Sequence, residues 1–187
     1  MRKLVVLFMA LVLSGIATAA EVAGVKLEDK ITLSGTELVL NGAGIRSKAF
    51  FKVYVGALYV SQKQTGLSGV LGLKTPRRVQ MTLLRDLSAD QLVDALIDGL
   101  SDNHSKAEMD AMKAQVDQLS TIMRSMKEVK TGAVVTIDFA PGTGTQVALN
   151  GASKGSIASD AFNNALMKVW LGEHPVSDAL KKAMLGG

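Results

Sequence analysis

Residues 45–60 carry the side chains of this sequence that are best suited to binding chemistry. Read as one extended strand, the segment places Arg46, Phe50 and Tyr54 on one face, because strand side chains alternate between two faces. A guanidinium beside an aromatic surface can bind a carboxylate or an enolate oxygen through its fork of N–H donors, and a phenol hydroxyl can add a further hydrogen bond. Arg46 and Tyr54 are therefore the candidate ligand-binding residues. The alternative is an arginine on a solvated strand face, paired with an acidic side chain.

Patterns for other kinds of catalysis are missing from the sequence. It contains no cysteine, which excludes disulfides, thiolate nucleophiles and zinc–thiolate sites. The two histidines, His104 and His174, have no metal-ligand spacing, and we interpret them as exposed or capping residues. No phosphate-binding loop, dinucleotide fingerprint or nucleophile elbow occurs. The sequence thus predicts neither a catalytic metal nor a cofactor.

The charge pattern argues against nucleic acid as a partner. The chain has 21 basic and 17 acidic residues, and its formal net charge is +4. No run of basic residues reaches five, and aromatic residues make up only 4% of the chain. Nucleic-acid surfaces need a concentrated basic patch, and single-strand binders also need stacking rings. Neither feature is present.

Residues 1–20 have the pattern of a secretory signal peptide. Arg2 and Lys3 precede an unbroken apolar run over residues 4–13, and Ala17-Thr18-Ala19 suits a signal peptidase. The run is about half as long as a membrane-spanning helix, so an uncleaved anchor is the less favoured alternative. We predict a single mature domain over residues 21–187, periplasmic or secreted, that meets the membrane only through its export signal.

The order of predicted elements is strands, helices, strands and helices. Strands are expected at 31–33, 37–40, 45–60 and 78–85, with a turn at 41–44, and later at 133–140, 144–149 and 155–159. Helices are expected after the serine caps Ser88, Ser105, Ser159 and Ser177. This segregation indicates an α+β fold, with an antiparallel sheet and helices on one face.

The predicted second helix has a methionine-rich stripe that includes Met109, Met112, Met123 and Met126. Core filling is the simpler interpretation of this stripe. An adaptable wall for an apolar ligand is the alternative, because methionine fits irregular shapes.

Five ordered stretches together resemble the bacterial chalcone isomerase-like family. They are LNGAGIR at 40–46, FFKVYVGALYV at 50–60, LLRDLSADQL at 83–92, GTGTQVALNG at 142–151 and VWLGEHPVSDALK at 169–181. Their order and spacing extend over nearly all of residues 21–187. The resemblance implies the chalcone isomerase fold, an open-faced β-sandwich in which helices pack over a large antiparallel sheet.

The resemblance also assigns roles to single positions. Arg46 stands where the catalytic relatives have the arginine that gathers the developing oxyanion, and Tyr54 stands at their catalytic threonine. Four further positions lack the polar side chains that orient the substrate in those relatives, namely Leu83, Leu92, Gly99 and Val169. The resemblance therefore implies that most of the orienting shell is lost.

These positions favour binding over catalysis. Fatty-acid-binding relatives of the fold keep an arginine and a tyrosine above an apolar cleft. We therefore expect an exported noncatalytic protein that binds a small apolar acid of the fatty-acid kind, or a flavonoid-like ligand, between sheet and helices. One alternative is an intramolecular lyase or isomerase acting on a chalcone-like enone. Another is an envelope interaction protein with a vestigial cleft. The oligomeric state stays open.

Overall fold

A computed structural model describes residues 20–187, so the predicted signal peptide lies outside the described residues apart from its last position. The strands are β1 (Ala20–Val22), β2 (Val25–Leu27), β3 (Lys30–Leu33), β4 (Thr36–Lys48), β5 (Phe51–Val60), β6 (Arg77–Leu83), β7 (Leu87–Ser88), β8 (Glu128–Val129), β9 (Val134–Ala140), β10 (Gly144–Leu149) and β11 (Ala152–Ile157). The helices are α1 (Leu67–Gly72), α2 (Ala89–Asp102), α3 (Lys106–Ala111), α4 (Lys113–Arg124), α5 (Asp160–Leu171) and α6 (Asp178–Met184).

Seven strands form one sheet in the order β11-β10-β9-β6-β5-β4-β3. Every neighbouring pair in it is antiparallel. The β1–β2 hairpin and the pair of short strands β7 and β8, which are separated in the chain by α2–α4, form two further two-stranded sheets. The predicted α+β class, with a large antiparallel sheet and helices packed against it, is confirmed.

The two faces of the sheet bury different clusters. The helices cover one face and form the main core, to which the sheet contributes side chains such as Leu58, Met81 and Val147. On the other face, Val55 and Tyr59 of β5 belong to a smaller cluster against which the β1–β2 hairpin packs. Among residues 20–187, no helix is long and apolar enough to cross a membrane.

The expectation of one long strand over residues 45–60 is wrong. The segment is a hairpin in which β4 and β5 are joined through Ala49 and Phe50, and Ala49 has a φ of +52°. Lys48 pairs with Phe51 across this turn, so the alternation of faces is interrupted there, and a register shift between Arg46 and Ser47 restores it. The sequence has no glycine or proline to mark the turn. Because these two interruptions compensate, the two-residue period does not distinguish this hairpin from a single strand.

The predicted turn at residues 41–44 is also wrong, because these residues lie inside β4. Their glycines allow α6 to approach the strand. A Cβ atom on Gly42 would overlap the carbonyl oxygen of Ala183, and one on Gly44 would lie 2.6 Å from the Ala183 Cβ. The Asn41 side chain fastens the end of α6, since its amide donates to the Met184 carbonyl at 2.7 Å.

Local signals in the remaining chain agree with the structure. Ser88 and Ser105 cap α2 and α3 in full capping boxes, while Ser159 and Ser177 cap α5 and α6. Asn150-Gly151 forms the turn between β10 and β11, with φ angles of +50° and +79°. The predicted second helix differs, because it breaks at Met112 into α3 and α4.

We expect the substitution Gly42→Ala to lower the free energy of unfolding by about 2–3 kcal/mol, because an added methyl group forces α6 away from β4. Urea denaturation checks this value. Gly72→Ala is the matched control, because a Cβ at the end of α1 meets nothing within 4 Å and its φ is not positive. Equal stability of the two variants would contradict the close-approach role of Gly42.

Candidate functional site

The β4–β5 hairpin places Arg46 directly opposite Tyr54. Residues opposite each other in an antiparallel pair project from the same face of the sheet. The guanidinium carbon of Arg46 lies 5.7 Å from the centroid of the Tyr54 ring. The sequence predicted that both residues share a face, and they do, although pairing between two strands is the cause. Phe50, expected beside them, instead lies fully exposed in the turn.

Tyr54 is fixed from the helical layer as well as from the sheet. Its side chain is buried, and its hydroxyl oxygen accepts a hydrogen bond of 2.9 Å from Nε1 of Trp170 in α5. An indole can only donate, so the phenol keeps its own hydrogen for a second partner. Burial raises the pKa of Tyr54 to about 12, although Arg46 and the bond from Trp170 act in the opposite direction. Tyr54 is therefore a neutral hydrogen-bond donor at physiological pH.

Arg46 is half-buried, and its Nε atom is buried without a protein acceptor within residues 20–187. Such a group is costly, because a buried donor without a partner loses about 1–3 kcal/mol relative to water, and more if it is charged. Native proteins seldom retain such groups without a functional reason. The environment of Arg46 is therefore suited to an anionic partner that reaches the guanidinium from the adjoining cavity.

That cavity has a volume of about 600 Å³ and lies between strands β4–β6 and helix α2. This size falls in the range of small-molecule sites. Arg46 and Tyr54 belong to its lining, and Pro175 and Val176 border it just before α6. Most of its deeper lining is apolar and buried: Val53, Met81, Leu92, Leu96 and Val169.

The two walls of the cavity mouth carry opposite charges. On the hairpin side, Lys48 and Arg85 accompany Arg46. On the helix side, α2 presents acidic side chains at intervals of four residues, namely Asp94, Asp98 and Asp102. Residues at this interval share one helix face. A bound anion is therefore attracted to the hairpin wall and repelled by the helix wall, which gives its head group a defined direction.

Positions that the family resemblance singled out lie around this cavity. Leu92, Gly99 and Val169 all line it, and Leu83 pairs with Tyr54 across β5 and β6. A Cβ on Gly99 would lie 2.8 Å from Cγ1 of Val169, so an asparagine would fit there only if Val169 moved. The wall is thus packed as an apolar surface at these positions.

Other sequence-based candidates lie elsewhere. His104 bonds through Nδ1 to the Leu100 carbonyl near the end of α2, and His174 is exposed, which fits their interpretation as capping or exposed residues. Met123 and Met126 are in the core, and the methionine-rich stripe does not line the Arg46 cavity. Within the described chain, no group of three His, Asp or Glu residues could hold a metal ion.

Trp170 is the site residue that sequence reasoning missed. It was recognised only as part of the apolar stripe of α5. A hydrogen bond that spans 116 residues of sequence leaves no local pattern. The only available signal was its indole nitrogen, because a buried tryptophan usually needs an acceptor.

The chain belongs to the chalcone isomerase-like family, whose sequence model matches residues 19–186. Among solved structures, it resembles the crystal structure of an Arabidopsis thaliana fatty-acid binding protein with a TM-score of 0.65. The sequence identity is 15%, and the match covers 87% of this chain and 92% of that chain. At this identity the likeness shows a shared fold. A search of curated proteins found no sequence match.

The sequence has two tyrosines, and burial is the largest cause that raises the pKa of both Tyr54 and Tyr59 to about 12. In the unfolded chain the pKa is about 10. Since the folded pKa is higher, the stabilising contribution is fully present below pH ~10 and is lost as the pH rises towards 12. We expect near-ultraviolet tyrosinate absorbance to appear about two pH units later in folded than in urea-unfolded protein. Tyr59→Phe isolates Tyr54, and a folded midpoint close to that of the unfolded chain would contradict its burial.

Proposed function

We propose that this protein binds a small apolar carboxylate, of the fatty-acid kind, in the cavity beneath Arg46, without catalysing its conversion. The observation that carries the proposal is the buried Nε of Arg46, which has no acceptor within the described protein. A carboxylate takes two parallel hydrogen bonds from a guanidinium. One ligand head group would therefore satisfy this atom and neutralise the charge beside it.

Tyr54 and the cavity lining suit the same ligand. The neutral phenol has a hydrogen to donate, and it lies beside the guanidinium. A carboxylate has two oxygens with free lone pairs, so it can accept from both residues. The apolar lining beyond them offers an environment for a hydrocarbon or aromatic body, whose transfer from water is favourable by about 25 cal/mol per Å². A flavonoid-like ligand is the alternative, in which a phenolate or ketone oxygen would take the place of the carboxylate.

The relative with the same fold gives this proposal a second support, because it is itself a fatty-acid binding protein. Binding also makes smaller demands than isomerisation of an enone. Intramolecular addition requires the reacting atoms to be oriented closely. Leu92, Gly99 and Val169 provide no polar group for that purpose. The open cavity also disfavours the alternative of an interaction protein with a vestigial cleft, since side chains would fill a vestigial cleft.

We expect Arg46→Ala to weaken the binding of a medium-chain fatty acid about 10- to 100-fold, because a charge-assisted pair is lost. Binding of the matching alcohol should change little, since it carries no charge. Isothermal titration with both ligands measures this difference. Arg46→Lys, which keeps the charge but not the fork, should lie between wild type and Arg46→Ala.

Arg124→Ala is the control for the loss of one arginine, because Arg124 pairs with Asp90 on the surface and does not line the cavity. Mass spectrometry of small molecules that co-purify with wild type but not with Arg46→Ala would identify the natural ligand. Equal affinity of wild type and Arg46→Ala for the acid would overturn the proposal. Turnover of a chalcone-like enone that disappears in Arg46→Ala would instead establish the isomerase alternative.

We also propose that the protein is exported to the periplasm or secreted, on the basis of the N-terminal sequence pattern. The basic residues Arg2 and Lys3, the apolar run and the small residues at 17–19 support cleavage before residue 20 or 21. N-terminal sequencing of the protein from a periplasmic fraction should begin at Ala20 or Glu21. Replacing Ala17 and Ala19 with bulky residues should leave the uncleaved precursor in the membrane fraction. A cytoplasmic protein that keeps Met1 would contradict this localisation.

A further inference from the structure

The tip of the β4–β5 hairpin exposes two adjacent phenylalanines. Phe50 is 99% exposed and Phe51 is 61% exposed, and they are the exposed large hydrophobic residues of the described chain. The ring of Phe50 is not buried when the chain folds, so its apolar surface stays in water. Neighbouring apolar side chains at a protruding tip point to a surface that meets another apolar phase.

Basic side chains surround these two rings. Lys48 and Lys52 flank them in sequence and are exposed, and the guanidinium of Arg85 lies 5.1 Å from the centroid of the Phe51 ring. Among residues 20–187, none of these three cations lies within ion-pair distance of a carboxylate. The tip therefore combines apolar rings with positive charges that no acidic group of the described protein neutralises.

We propose that this hairpin tip docks on an anionic lipid surface, with Phe50 and Phe51 entering the head-group region. Charge complementarity favours a lipid surface as the occupant, because each Lys or Arg near an anionic membrane strengthens binding about fivefold. Phenyl rings beside basic residues are also typical of segments that lie at the membrane interface. The tip is a convex two-residue turn, which can enter a fluid interface without a preformed complementary pocket.

The acidic wall of α2 gives the docking a direction. Asp94, Asp98 and Asp102 lie across the cavity mouth from the basic tip and are exposed. An anionic membrane repels this edge while it attracts Lys48, Lys52 and Arg85. The protein therefore approaches with the hairpin foremost and the α2 edge held away from the lipid.

Docking in this orientation brings the cavity mouth to the membrane. Phe51 and Lys48 belong both to the tip and to the cavity lining. An apolar acid that leaves the bilayer could then pass along the hairpin towards Arg46 with little exposure to water. This role in ligand uptake rests on the proposed function, whereas docking of the tip does not.

The test uses the exported protein after leader cleavage and measures co-sedimentation with vesicles. Mixed phosphatidylethanolamine–phosphatidylglycerol vesicles should bind the protein, and uncharged phosphatidylcholine vesicles should bind it weakly. The double variant K48E/K52E should lower binding to the anionic vesicles by at least about 20-fold. Phe50→Ser should lower it about tenfold, because the ring no longer enters the interface.

The double variant K63E/K74E is the matched control. Lys63 and Lys74 are exposed. Lys63 lies in the loop after β5 and Lys74 in the loop before β6, at the end of these strands that is remote from the hairpin tip. The variant K63E/K74E makes the same change in net charge as K48E/K52E, yet it should bind vesicles nearly as wild type does. Equal losses in the two double variants would overturn docking through the tip, as would wild-type protein that binds no anionic vesicle.

A second measurement separates docking from ligand binding. In vesicle-free solution, Phe50→Ser should keep the affinity of the cavity for a fluorescent fatty acid, since Phe50 does not line it. If wild type binds vesicles but no fatty acid, the proposed function fails and docking stands. A photo-crosslinker at position 50 should label lipid in whole membranes. Labelling of a single protein instead, with vesicle binding absent, would overturn the lipid proposal.

Discussion

The antiparallel register of β4 and β5 is the constraint on which the candidate site depends. It sets Arg46 opposite Tyr54 and leaves both on the face that the helices cover. A slip of one residue would turn one of the two to the opposite face, because side chains alternate along a strand. Trp170 opposes such a slip, since its indole nitrogen is bonded to the Tyr54 hydroxyl from α5.

Helix α6 holds the same strand near its middle. Gly42 and Gly44 let the helix backbone approach β4, and Asn41 binds the last turn of the helix. Asn41 also accepts a hydrogen bond of 2.7 Å from the backbone of Gln64, which ties in the loop after β5. The segment that leads into α6 supplies one border of the cavity. Packing that stabilises the sheet therefore also sets the shape of the site.

The two charged walls of the candidate site act on an anion in opposite ways. Arg46 and its basic neighbours draw an anion to one wall, while the acidic edge of α2 repels it from the other. Beneath them the wall is apolar, and Gly99 is packed so closely against Val169 that a larger side chain would fit only if Val169 moved. Such a site can hold a head group firmly and accept varied apolar bodies. It offers few groups that could fix reacting atoms relative to one another.

The sequence by itself predicted the features that depend only on residues close together in the chain. Serine caps, apolar stripes and the Asn150-Gly151 turn follow from local hydrogen bonding and backbone preference, and from them the α+β class was predicted. The candidates Arg46 and Tyr54 were also nominated from the sequence, and their role as ligand-binding residues stays a prediction. Only the tertiary structure decided that they meet across a hairpin, that the glycines of residues 41–44 serve close packing, and that Trp170 binds Tyr54. Glycine suits both a turn and a close approach, and a turn followed by a register shift leaves the two-residue period between Arg46 and Tyr54 unchanged. The local pattern allows a turn or a close approach at the glycines, and a strand or a hairpin at residues 45–60. Contacts between distant segments decide between them.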